Sequence, residues 1–96
     1  MTLQQLKYVV TVARTGSMSE ASKELFISQP GLTTSIRELE TEMGIKIFTR
    51  TNKGVVTSNE GERFLGYARQ VLEQASLLEG CLLYTSPSPR DVEESR

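Results

Sequence analysis

The stretch from Gly16 to Arg37, GSMSEASKELFISQPGLTTSIR, decides the predicted fold because it contains two short helices joined by a tight turn. Ser17 can cap the first of these helices, and Glu20 follows at the spacing of a capping box. The segment Phe26–Pro30 then interrupts the helix. Proline disfavours helical geometry at the residue before it but is tolerated in a first helical turn. Ser28 is therefore the predicted N-cap of the second helix.

Apolar residues at helical spacing extend this unit in both directions. A helix is expected from Thr2 to a stop at Gly16, and the helix that Ser28 caps is expected to stop at Gly44, because glycine readily adopts the left-handed conformation of a helix end. Ala21 is small, which would let two helices cross closely. The predicted core positions of the three helices are Leu3, Leu6, Val9 or Val10, Ala13, Met18, Ala21, Leu25, Leu32, Ile36, Leu39 and Met43.

The sequence after Gly44 predicts a β-hairpin and a long helix. Apolar residues 45–48, a polar turn over 49–54 and β-branched residues 55–57 indicate two strands with a basic tip. Thr57 with Glu60, or Asn59 with Glu62, offers a capping box for a fourth helix. Its apolar positions repeat in steps of four and three, as in a coiled coil, and predict a dimer contact through Phe64, Ala68, Val71, Ala75 and Leu78.

The predicted fold class is therefore mainly α, a winged helix-turn-helix with a three-helix core, a two-stranded wing and a long C-terminal helix. Residues 1–58 form the first unit and residues 59–80 form a linker and dimerisation helix. A helix of about 20 residues, or about 30 Å, outruns a body this small, so its distal half needs a second surface. A symmetric partner is the economical choice.

Composition excludes several classes of function. The chain has 96 residues, one cysteine (Cys81) and no histidine, so neither an internal disulfide framework nor a His-containing zinc site is expected. We expect no cofactor and no enzyme, because no histidine base and no glycine-rich phosphate loop are present. No apolar run approaches the ~20 residues of a membrane span, and no signal pattern opens the chain, which predicts a cytoplasmic protein without membrane contact.

The helix that Ser28 caps would present a hydrogen-bonding face to double-stranded DNA. The second helix of a helix-turn-helix enters the major groove, where Gln and Arg can form paired hydrogen bonds with adenine and guanine edges. The acidic residues of this helix come later in it. A chain of net charge −1 can therefore still present a surface that does not repel the DNA phosphates. The predicted DNA-binding residues of this helix are Ser28, Gln29, Pro30, Thr33, Thr34 and Arg37.

The hairpin tip would add a second DNA contact through Arg50, Asn52 and Lys53, following the backbone or entering the minor groove. The alternative is that Arg50 and Lys53 are solvated turn charges. A second alternative is a protein-interaction module, since winged helices can also serve as docking surfaces. That function would require an apolar patch on the third helix, where this chain has polar residues.

Residues 1 to about 79 resemble the N-terminal domain of LysR-type transcriptional regulators. The resemblance rests on ordered segments rather than single residues, among them Leu3–Tyr8, Gly16–Ser22, Leu25–Pro30, Leu39-Glu40, Gly44–Phe48 and Gly54-Val55, together with Leu32, Thr33, Ile36, Arg37, Arg50, Thr57 and Gly61. Thr34 departs from the pattern, since many relatives have a basic residue there.

The resemblance implies a homodimer formed through the linker helices and a parent protein that assembles as a homotetramer. It also implies a C-terminal domain that binds a small-molecule effector and is missing here. Residues 81–96 resemble a translated sequencing adapter and are expected to be a non-native tail, although a Ser/Pro-rich linker is an alternative.

Overall fold

The computed structural model describes residues 1–85, with side chains through Gly80, and contains four helices and one hairpin within that range. The helices are α1 (Leu3–Thr15), α2 (Met18–Leu25), α3 (Gln29–Met43) and α4 (Asn59–Thr85), and the strands are β1 (Phe48–Thr51) and β2 (Gly54–Thr57). The predicted winged helix-turn-helix is confirmed. None of the described helices is both long enough and apolar enough to cross a membrane.

The predicted helix boundaries in the first half are confirmed by their capping interactions. Thr2 and Gln5 form a reciprocal capping box on α1, and Ser17 Oγ accepts from the Glu20 amide at the start of α2. Ser28 Oγ accepts from the Gly31 amide at 3.1 Å and begins α3. Gly16 and Gly44 both adopt a φ of 70° and end α1 and α3.

The hairpin and the cap of α4 differ from the prediction. Thr51 pairs with Gly54, so only Asn52 and Lys53 form the turn, and Arg50 lies within β1 opposite Val55. The first strand was predicted at 45–48, but Glu40 Oε2 accepts from the amides of Ile47 and Phe48 at 2.7 and 3.2 Å. The strand pairing therefore begins only at Phe48, which lies opposite Thr57.

Ser58, rather than Thr57 or Asn59, caps α4. Its Oγ accepts from the Gly61 amide at 2.9 Å, and its own amide donates to the Ile47 carbonyl at 2.9 Å. The helix continues to Thr85, beyond the predicted end at residue 80. Residues 86–96, which hold the rest of the predicted tail, lie outside the described part of the chain.

One core joins all the elements. Val9, Val12, Leu32, Leu39, Ile47 and Leu65 are fully buried in it. Ala21 is fully buried, as its predicted place at the helix crossing requires. Leu3 and Met43 were predicted in the core but are 46% and 41% exposed. Both occupy the terminal turn of a helix, and Leu25 is only half-buried.

Two close backbone contacts hold the hairpin against the end of α1 and α4 against the segment before β1. Gly54 has a φ of 134°, and a Cβ there would lie 2.4 Å from the Gly16 carbonyl oxygen. The adjacent Val55 amide donates to that same oxygen at 3.1 Å. A Cβ on Gly61 would lie 2.4 Å from the Ile47 carbonyl oxygen. Only glycine permits both approaches, because any Cβ would collide with backbone.

Candidate nucleic-acid interface

A cleft between α3 and the hairpin brings together residues that are far apart in the sequence. We call it the α3–wing cleft. It lies beside the middle of α3 and is lined by buried apolar side chains together with polar and charged ones. Its lining residues are Met18, Thr33, Ile36, Arg37, Glu40, Lys46, Phe48, Arg50 and Val55.

Three of the predicted DNA-binding residues meet in this cleft. Thr33 and Arg37 are one turn apart on α3 and both line it, while Arg50 reaches it from β1. Thr33 is half-buried, whereas Arg37 and Arg50 are exposed. Helix packing accounts for this placement. Ile36 lies between the two polar positions in the sequence and is buried in the core, which fixes the rotation of α3 about its axis.

Thr34 lies on the other flank of α3. It lines a shallow groove with Arg37, Glu38, Thr41 and Glu42, and it does not reach the hairpin. Thr33 and Thr34 are neighbours in sequence but about 100° apart around a helix, which accounts for the separation. Arg37 lines both surfaces and is therefore the side chain that connects them.

The first turn of α3 is open to solvent. Ser28, Gln29 and Pro30 are all exposed, and the Ser28 hydroxyl is already committed to the helix cap. Just before it, Phe26 adopts a φ of 59° with its side chain 93% exposed. A left-handed conformation is costly for a bulky residue, so the backbone at this turn is held by its neighbours. The Ile27 amide supplies one such bond, to the Ser22 carbonyl at 3.1 Å.

The cationic side chains of the cleft are not engaged with acids. The ion pairs found among the described residues join the N-terminal amine to Glu42, Arg14 to Glu24, and Lys23 to Glu20. The guanidinium of Arg14 has a raised pKa because Glu24 accepts a hydrogen bond from it. Arg37, Lys46 and Arg50 take part in none of these pairs and can meet an anion from outside.

Lys46 and Glu40 line the cleft and were not among the predicted site residues. Lys46 stands in the segment predicted as the first strand, which concealed its position at the rim. The carboxylate of Glu40 caps two amides across the Gly44 turn, a contact that no local sequence pattern indicates. Asn52 and Lys53 lie at the hairpin tip, exposed, and do not line the cleft.

The predicted dimerisation residues fall into two groups along α4. Phe64 is half-buried against the core and Ala68 is 3% exposed, so both are used within this chain. Val71 and Leu78 are 44% and 62% exposed, and Ala75 is half-buried.

Within the part of the chain whose side chains are described, no cluster of three His, Cys, Asp or Glu residues could hold a metal ion.

Proteins similar to this chain in sequence and fold are transcriptional regulators. Residues 3–62 match the family described as bacterial regulatory helix-turn-helix protein, lysR family. The regulator TfdT of Cupriavidus pinatubonensis is 46% identical over 72 residues, which is 75% of this chain and 32% of that protein. TcbR of Pseudomonas sp. is 39% identical over 75 residues, 78% of this chain and 26% of that protein. The chain thus spans roughly a quarter to a third of these relatives.

Solved structures of DNA complexes resemble the fold closely. The DNA-binding domain of CbnR in complex with DNA has a TM-score of 0.79 and 36% identity, covering 83% of this chain and 92% of that one. The DNA-binding domain of BenM on a benA site has a TM-score of 0.82 and 33% identity, covering 88% and 98%. With the family match extending over most of the described residues, this chain belongs to the LysR family of bacterial helix-turn-helix regulators.

Proposed function

We propose that this chain is the part of a transcription regulator that binds double-stranded DNA in a sequence-specific manner, with α3 in the major groove. The observation that carries the proposal is the α3–wing cleft, which Arg37 from α3 and Arg50 from β1 both line. The cations are free of acidic partners among the described side chains. The relatives solved with DNA share this fold, which supports the same use here.

The proposed contacts divide by type. Gln29, Thr33, Thr34 and Arg37 would face base edges from α3, with Ser28 and Pro30 at its start, while Arg50, Asn52 and Lys53 would follow the backbone or minor groove from the hairpin. The positive end of the α3 dipole favours a phosphate beside its first turn. A protein-docking function is less well supported, because the exposed positions of α3 are predominantly polar.

A homodimer would place two recognition helices in successive major grooves, about one helical turn apart. We propose that the two chains pair through α4, beyond the part that packs on the body. Residues 1–58 would then form the DNA-binding unit and residues 59–80 the linker and dimerisation helix. By the same family relation, the whole protein would be a homotetramer whose further domain binds a small-molecule effector. It would act in the cytoplasm, where chromosomal DNA is reached.

Binding measured across a range of salt concentrations tests this function. If each subunit neutralises about four phosphates, the slope of log affinity against log salt should be near −7 for the dimer. Arg37→Ala should weaken binding to a selected duplex by about 1–3 kcal/mol if its guanidinium contacts a base edge. The duplex is obtained by selection from a random pool. A slope near zero would contradict the proposed phosphate contacts of this surface. An equal loss of affinity for random DNA in Arg37→Ala would contradict a base contact by Arg37.

A further inference from the structure

We propose that the α3–wing cleft is a seat for one phosphate of the DNA backbone and that Lys46 is a phosphate contact within it. The inference rests on the proposed function and deepens it by assigning a ligand group to this cleft.

Three cationic side chains reach the cleft from three separate elements. Arg37 comes from α3, Lys46 from the segment before β1, and Arg50 from β1 itself. All three are exposed, and none takes part in the ion pairs or side-chain hydrogen bonds found among residues 1–80. Like charges in one cleft raise its positive potential, so an anion is favoured there. Lys46 and Arg50 are the side chains assigned to the phosphate, while Arg37, which also lines the groove beside Thr34, keeps its proposed base contact.

The one acid lining the cleft is hydrogen-bonded to backbone amides and forms no ion pair with these cations. Glu40 is half-buried and its Oε2 accepts from the Ile47 and Phe48 amides at 2.7 and 3.2 Å. These bonds hold the carboxylate on the backbone at the base of the hairpin. Three positive charges thus stand against one negative charge whose hydrogen-bonding capacity is partly used. The net positive potential suits a singly charged phosphodiester.

The backbone around Lys46 is held in place, so its side chain is presented from a fixed base. The Lys46 carbonyl oxygen accepts from the Ser58 hydroxyl, and the next carbonyl, of Ile47, accepts from the Ser58 amide at 2.9 Å. Ile47 is fully buried. A lysine acts on phosphate as a point charge on a flexible side chain. A fixed backbone position is therefore enough to bring its ammonium group to the phosphate, and no single rotamer is required.

Lys46 also lies away from the first turn of α3, the part of a recognition helix that enters the major groove. Gln29 and the first turn of α3 lie at the open end of the helix, while Lys46 follows Gly44 at the opposite end. A DNA strand lying between α3 and the hairpin would pass this cleft with its backbone. Lys46 should therefore contribute affinity that does not depend on base sequence.

The test compares Lys46→Gln with Lys7→Gln, which makes the same charge change on α1 at an exposed residue that does not line the cleft. Affinities are measured over a salt series on a selected duplex and on a random duplex of equal length. We expect Lys46→Gln to weaken both by the same factor and to make the salt slope about 0.9 less negative for each bound subunit. Lys46→Arg should restore both values, and Lys7→Gln should change neither.

A second measurement locates the phosphate. Duplexes carrying one uncharged methylphosphonate at a time should include a position where Lys46→Gln causes no further loss, because the charge it contacts is already gone. An unchanged salt slope in Lys46→Gln, or loss on the selected duplex alone, would overturn the inference while leaving the proposed function in place. Failure of the unmodified chain to bind either duplex would overturn both.

Discussion

The two halves of α4 have the same apolar periodicity but opposite surroundings. In the first half, Gly61 and Ala68 are buried and Leu65 is fully so. In the second half, Val71 is 44% exposed, Leu77 is 60% exposed and Leu78 is 62% exposed. A repeat of apolar residues therefore indicates that one face of a helix is to be buried, but it does not indicate whether the same chain or a second chain buries it.

The largest contrast is expected between two leucine truncations on this one helix. Leu65→Ala should lower the free energy of unfolding by about 2–5 kcal/mol, because it opens a cavity in the core. Leu78→Ala removes the same atoms from an exposed position and should change it by no more than about 0.5 kcal/mol in the monomer. Urea unfolding of both variants at low protein concentration measures the difference. Similar losses in the two would contradict the division of α4.

Two glycines on α4 also differ in their surroundings, since Gly61 is in close contact with the backbone of another segment and Gly66 is not. Gly61→Ala would place a methyl group 2.4 Å from the Ile47 carbonyl oxygen, so α4 must shift, at a cost of about 1–3 kcal/mol. A Cβ on Gly66 meets nothing within 4 Å, and Gly66→Ala should stabilise the chain by about 0.5–1 kcal/mol through helix propensity. Thermal unfolding should therefore move in opposite directions for the two variants. Destabilisation by both would argue against the close approach at Ile47.

The smallest effect on the isolated chain is expected from a charge in the exposed half. Val71→Lys should leave monomer stability nearly unchanged because the side chain is partly solvated. If the distal half pairs with a second copy and most chains are dimeric, each tenfold rise in concentration should raise the apparent free energy of unfolding by about 1.4 kcal/mol per mole of dimer, and the melting temperature should rise with it. Val71→Lys should remove this dependence. Melting that is independent of concentration in the unmodified chain would refute pairing through α4.

The sequence predicted the parts of the fold that depend on local chemistry. Ser17, Ser28, Gly16 and Gly44 are caps and stops whose physical requirements lie within a few residues, and all four are found where they were expected. The cap of α4 was misplaced because Thr57, Ser58 and Asn59 are all competent. The choice of Ser58 depends on its hydrogen bond to the distant Ile47 carbonyl.

The candidate site was only partly predictable for a similar reason. Residues on one face of α3 follow from helical geometry, so Thr33 and Arg37 could be grouped in advance. Lys46 could not, because its place depends on where β1 begins, and that in turn depends on the reach of Glu40 across the Gly44 turn. Long-range contacts between side chain and backbone leave no periodic trace in a sequence.

The contact between Gly54 and Gly16 has a consequence for how such a surface could diversify. A main-chain hydrogen bond from Val55, just after the two-residue turn, fastens the hairpin to the residue that ends α1, while the side chains of Asn52 and Lys53 in the turn itself are exposed. Substitutions at those two positions would change the side chains of the turn but not the orientation of the hairpin. New turn sequences could therefore be introduced while the angle between the hairpin and α3 stays the same. Substituting residue 54 would do the reverse, redirecting an unchanged tip.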